Sequence, residues 1–239
     1  MVADPLLVAP RRPFWRALGL FAVAFAVGFV ASTVAVLIEM IAGVRSSALR
    51  NATGAPLQGA LIAFELSMAA LVLWRLPAMT GLNLRELGLR RPRGRDWRVF
   101  GYGVLGLVGV RVVIAVQLAL LHQSEHRQAG FETIHLGSPL DVVLTLAALV
   151  VVAPFAEELV FRMTLFRTLA QRLPVWLAVA ISACVFAGFH MDALLFVGLA
   201  LFGAVLALCY RASGCIVVSM LLHACNNALG ALGIIYLAR

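Results

Sequence analysis

The stretch VVAPFAEELVFRMTLFRTLAQRLP, residues 151–174, sets two adjacent carboxylates, Glu157 and Glu158, inside an apolar run. A charged side chain at the centre of a bilayer costs roughly 2.5–3.5 kcal/mol even on lenient insertion scales. A residue that bears such a cost needs a partner, a retained proton or a task.

The surrounding chain shows that the setting is a membrane. Of the 239 residues, 63% are apolar and 13% charged, and the mean hydropathy is +1.00. So few charges cannot cover a water-facing surface. The expected fold is all-α, a polytopic transmembrane helical bundle of about seven spans of ~20 residues each. Apolar runs fall at about 14–43, 57–79, 98–121, 140–170, 174–190, 193–210 and 214–237. Pro154 lies inside the fourth run, which reads as one kinked helix or as two pieces, giving eight spans. The first run is longer than a signal-peptide core and reads as an uncleaved span. The whole of 1–239 is expected to form a single integral-membrane domain, with a motif-bearing core over 140–230. Two connections are long: a basic segment, 81–98, with weak helical periodicity that suits a membrane surface, and a polar loop, 122–139.

All 19 basic residues are arginine. With seven spans and a cytoplasmic N-terminus, fourteen arginines fall inside and four outside (Arg45, Arg50, Arg127 and Arg239), with Arg111 within a span. The positive-inside rule favours that orientation. The basic excess therefore reports topology, and nucleic acid is not an expected partner. Membrane lipids and a peptide or membrane-protein substrate are. An all-arginine, alanine-rich chain suits a GC-rich bacterial genome, and the expected location is a bacterial inner membrane with the N-terminus cytoplasmic.

Some intramembrane polar residues have local explanations. Glu65 and Arg111, at similar depths in spans two and three, suit a structural ion pair better than a substrate or proton site. Glu39 can snorkel from the outer end of span one, and Asp141 suits a helix start. The four cysteines match no zinc-ligand spacing and read as buried small hydrophobes. His122, His126 and His135 read as solvated loop residues.

Three polar clusters in the C-terminal half resist that treatment. In the first, Glu158 and Arg162 are four residues apart with the acid first, the favourable order for a helical pair. Glu157 points about 100° away and stays unpaired on its own helix. The second cluster is Phe186 with His190, one turn later. The third is His223 with Asn227, also four apart. An antiparallel hairpin turning near Leu173 sets Glu157 and His190 at one level, each about 24 Å from the turn. His223 and Asn227 enter from the last span. A carboxylate in a low-dielectric site is a useful general base, a histidine can share its water, and a second histidine and an amide can donate to an oxyanion. No serine or cysteine is paired with a base. Water activated for attack on an amide or ester carbonyl fits this set.

Glu-Glu-x-x-x-Arg, then Phe-x-x-x-His, then His-x-x-x-Asn, all in apolar helices, resembles the CPBP family of intramembrane proteases, which includes the CAAX prenyl endopeptidases and bacteriocin-processing proteins. APFAEELVFR is close to that family's first motif. The resemblance implies an endopeptidase in which Glu157 activates water, His190 holds that water, and His223 and Asn227 stabilise the oxyanion. It implies supporting roles for Glu158, Arg162 and Phe186. Met163 departs from the glycine common in the family after the arginine, which puts a bulkier group where it could narrow the cavity. The implied substrate is a prenylated CAAX-type or a leader- or bacteriocin-type peptide.

Two alternatives stay open. His190, His223 and Glu157 or Glu158 could hold zinc, although one carboxylate would then have to serve as both base and ligand. No cofactor is the preferred expectation. A non-enzymatic scaffold, immunity or sensing protein could use the same cavity to bind a peptide or lipid.

Overall fold

The computed structural model describes residues 14–41, 55–123, 126 and 139–237. Arg11, Arg12, Arg45, Arg50, Arg127 and Arg239 of the charge count, and His135, lie outside the described residues. Every regular element among the described residues is helical. In chain order they are α1 (Phe14–Ile41), α2 (Ala55–Thr80), α3 (Gly94–Leu120), α4 (Pro139–Ala170), α5 (Val175–Phe189), α6 (Phe196–Ser213) and α7 (Ile216–Leu237). Six are long and apolar enough to cross a membrane, and α5 is a shorter apolar helix of 15 residues. The bundle is the one the apolar runs predict.

Pro154 does not split α4. A proline inside an α-helix lacks a donor and clashes with the carbonyl four residues back. Here the preceding turns, Ala147–Val152, widen to π-helix, and the Ala153 N–H reaches Ala148 O, five residues back. A second π-helical stretch, Glu158–Phe166, follows. Thr164 reinforces it by donating Oγ1–H to Leu159 O at 2.9 Å. Wide turns of this kind are rare and concentrate at functional sites.

All nine residues of Glu158–Phe166 are buried, so this part of α4 is the hub of the bundle. The α1–α2 pair packs on one side of it, α5 and α6 on another, and α7 closes the ring. A helix covered all round must satisfy its charges internally, which the site chemistry below reflects. Apolar side chains on the outside, such as Phe29, Tyr102 and Leu105, are exposed as a lipid-facing surface requires. Met163 is 1% exposed, packed in the core, and is not among the residues that line the cavity.

One end of the bundle is marked twice. Arg172, in the α4–α5 turn, stacks over Phe14 at the start of α1, 5.1 Å from its centroid. The exposed tryptophans Trp15, Trp74, Trp97 and Trp176 lie at the helix ends that alternation brings to this same face, as an interfacial aromatic belt does.

The basic segment is not a surface helix. Residues 81–93 form turns that clasp the α6–α7 junction, with Leu87 fully buried. Tyr210 donates its hydroxyl to Leu87 O at 2.7 Å, and Ile216 N–H donates to Gly88 O at 2.9 Å. Gly88 has φ +99°, and a Cβ there would meet Tyr210 at 2.9 Å, so the clasp requires glycine. Periodicity could not reveal a segment held by contacts more than a hundred residues away. The polar loop departs in the same way. His126 is not merely solvated: its Nε2 lies 3.0 Å from Asp192, whose other oxygen caps Leu195 N–H at 3.0 Å. All four cysteines are free, but only Cys209 and Cys215 are buried, while Cys184 and Cys225 are exposed.

Candidate functional site

The two adjacent glutamates sit at the junction where α4 passes from an α-helical turn, Ala153–Glu157, into its buried π-helical stretch. Their environments diverge at once. Glu158 is wholly buried, with Oε1 3.0 Å from Arg162 Nη1. The approach is a charge contact without hydrogen-bond alignment, since Arg162 Nη1 has no hydrogen-bond partner. Arg162 is also fully buried. Its Nη2 donates to Gly203 O at 3.3 Å, and its guanidinium lies over the Phe186 ring at 4.3 Å. The sequence-level pair is therefore present.

The sequence did not show that Glu158 has a second partner. His223 Nδ1 lies 3.0 Å from Glu158 Oε1. A carboxylate only accepts, so Nδ1 carries the hydrogen and Nε2 is turned the other way, toward Glu157. His223 Nε2 stands 3.9 Å from Glu157 Oε2, too far for a direct hydrogen bond. Glu157 Oε2 is buried with no hydrogen-bond partner.

Phe186 joins the clusters. Its backbone carbonyl accepts from His190 Nδ1 at 2.8 Å, just past the end of α5. Its ring is tilted against the His190 ring at 4.6 Å and meets the His223 ring edge-on at 5.8 Å. Because a carbonyl cannot donate, His190 also carries its hydrogen on Nδ1, and in the neutral ring Nε2 is an acceptor. Core packing alone does not describe Phe186, which touches a member of each motif.

Asn227 is fixed from two sides. Its Nδ2 donates to Leu149 O at 2.8 Å, in the first π-helical stretch, and its Oδ1 accepts from Asn226 Nδ2 at 3.2 Å. One N–H of the amide remains uncommitted. Arg111 Nη2 donates to Asn226 O at 2.6 Å and so pins α7 at this level. The expected Glu65–Arg111 pair is absent: Arg111 takes a backbone carbonyl, and Glu65 lines the same cavity as Glu157. Depth along the helices suggested the pair, but depth carries no information on which way each helix is turned.

Glu157, His190, His223 and Asn227 all line one cavity of about 250 Å³, together with Glu65, Asn226 and the rings of Phe189 and Phe202. Glu158 and Arg162 lie behind it. This arrangement offers two carboxyl groups without a cation of their own, Glu157 and Glu65, two imidazoles whose outer nitrogens are free, and one spare amide N–H. It can orient a water and oppose a developing oxyanion. Among the described residues no group of three or more His, Cys, Asp or Glu is arranged to hold an ion. Glu158 is also engaged by Arg162 and His223.

A larger apolar groove of about 940 Å³ adjoins the cavity between α1, α2 and α5. It is lined by Phe25, Phe29, Phe64, Val185 and Met191, and shares Leu61 and Phe189 with the cavity. Phe25 and Phe189 stack in it at 3.9 Å.

Residues 139–229 match a family model described as Type II CAAX prenyl endopeptidase Rce1-like. No curated protein and no solved structure matches the chain. The matched span begins with α4 and ends within α7, and it contains Glu157, Glu158, Arg162, Phe186, His190, His223 and Asn227. The family resemblance carried by the three motifs thus holds for residues 139–229, the Rce1-like segment of this chain.

Proposed function

We propose that this chain is an intramembrane endopeptidase that hydrolyses a peptide bond with a water activated by Glu157. The observation that carries the proposal is the split between the two glutamates. Glu158 is consumed by Arg162 and His223, whereas Glu157 faces a cavity with an unpartnered oxygen and His223 Nε2 at 3.9 Å.

In this reading a water between Glu157 and His190 Nε2 donates one hydrogen bond to each. Glu157 takes its proton as the oxygen attacks the carbonyl carbon. The spare N–H of Asn227 faces the oxyanion. His223 donates to it from Nε2 once that nitrogen holds a proton, with Glu158 opposite the resulting charge. No metal takes part, and Glu158, Arg162 and Phe186 hold the reacting groups in register. Proper positioning of this kind supplies much of a hydrolase's rate.

The groove beside the cavity supports one substrate class. Its volume and its apolar, partly aromatic lining suit a long hydrocarbon chain. That supports a lipid-modified peptide, as in the prenyl endopeptidase family description, over an unmodified leader peptide. The site is proposed to act within an inner membrane of a bacterium, with the tryptophan-marked face and the N-terminus cytoplasmic.

The test is direct. Purified chain in lipid nanodiscs is incubated with a peptide bearing a prenylated cysteine near its C-terminus, and the products are read by mass spectrometry. Cleavage by the wild type and its loss in Glu157→Gln support the proposal. Tight binding of the peptide with no turnover by the wild type would favour a non-enzymatic binding protein instead.

A further inference from the structure

We propose that Glu65 is the acid partner of Glu157, supplying the proton that the leaving amine needs; the proposal rests on the hydrolase reading above. Glu65 belongs to α2, outside the segment matched by the family model. Its carboxyl lines the same cavity as Glu157, His190 and His223, and α2 packs directly on the α4 turn that ends at Glu157. Its Oε2 is buried without a hydrogen-bond partner. Arg111 is turned to Asn226 O, and Arg162 is engaged with Glu158 and Gly203 O. From α1, Glu39 lies against Gly59, six residues or roughly 9 Å further along α2. Among the described residues, the titratable groups that share the cavity with Glu65 are Glu157 from α4, His190 from the end of α5 and His223 from α7.

A buried polar group with no partner calls for an explanation. Two carboxyl groups that line one cavity with no cation between them divide into a base and an acid, because a charge on one disfavours a charge on the other. The chemistry closes on that division. Water oxygen bonds to the carbonyl carbon, its proton passes to Glu157, and the carbonyl electron pair moves to oxygen. The carbonyl re-forms, the carbon–nitrogen bond breaks, and the nitrogen takes the bonding pair and a proton from Glu65. Glu157 then returns its proton to Glu65 across the cavity, leaving a carboxylic acid, an amine and the starting enzyme.

The experiment compares wild type, Glu65→Gln and Glu157→Gln on two versions of the prenylated peptide. One has the natural amide at the cleaved position. The other has an aryl ester there, whose leaving group departs without a proton. Glu65→Gln is expected to lower kcat on the amide about 10²-fold, the lower end for general acid–base catalysis, with KM little changed. It should leave the ester within a few-fold of wild type and remove the alkaline limb of the amide pH–rate profile. Glu157→Gln should abolish both reactions. Glu65→Asp, which keeps a carboxyl group, should retain the alkaline limb at a reduced rate and serves if the glutamine variant does not fold. Equal loss on amide and ester, or an alkaline limb that persists in Glu65→Gln, would overturn the proposal while leaving Glu157 in its role. No turnover by the wild type on either substrate would sink the hydrolase reading itself, and this proposal with it.

Discussion

Replacing Glu158 by leucine should be far more damaging to the fold than replacing Glu157 by glutamine, although the two residues are adjacent. Glu158 and Arg162 are both fully buried, 3.0 Å apart, and His223 is nearly so. Removing the carboxylate leaves the guanidinium with one backbone carbonyl at 3.3 Å and the face of Phe186. Breaking a buried pair from one side costs about 3–5 kcal/mol, because a charge stays behind in low dielectric. Removing both charges avoids that penalty, so Glu158→Leu combined with Arg162→Met should recover to within ~1–2 kcal/mol of wild type. The pair should then show strong non-additivity in a double-mutant cycle. The assay is reversible unfolding in mixed detergent micelles, followed by far-ultraviolet circular dichroism. Stability and activity should separate in the double variant. Its fold returns, but His223 has lost the group that holds Nδ1, so turnover should stay near zero. Additive effects of the two single variants, within about 0.5 kcal/mol, would refute the coupling.

Three further outcomes are expected. Asn227→Ala should lower kcat about 10²–10³-fold, the usual effect of losing one oxyanion donor, measured on the prenylated peptide with folding checked by gel filtration. Phe186→Ala should lower kcat by about 10²-fold without touching a reacting group, since His190 and Arg162 both rest on that ring and an ångström of misplacement costs that much. Dialysis against a strong chelator should leave the cleavage rate unchanged; loss of activity restored by added zinc would point to a metal mechanism.

Much of the bundle was legible because bilayer thickness fixes span length, and each helix lies close to its apolar run. The π-helical stretches of α4 were not legible. They answer to Pro154 and to packing on every side, which local propensity does not encode. The pair Glu158–Arg162 was readable because both partners lie on one helix. The contact of Glu158 with His223 spans 65 residues, and no periodicity announces it. Glu65 and Arg111 show the limit most clearly. Both stood out as intramembrane charges, yet pairing them by depth was wrong because helix rotation decides whom each one faces. Segment 81–93 failed for a related reason, since its partners, Tyr210 and Ile216, come from the far end of the chain.

The most direct test of the central claim, that Glu157 turns a water onto the peptide carbonyl, is a single-turnover cleavage in ¹⁸O-labelled water. With enzyme in excess, one heavy oxygen should enter the new carboxylate of the product and none the protein. Heavy oxygen in the Glu157 side chain would instead mean that the carboxylate attacks the carbonyl itself, and would contradict that claim.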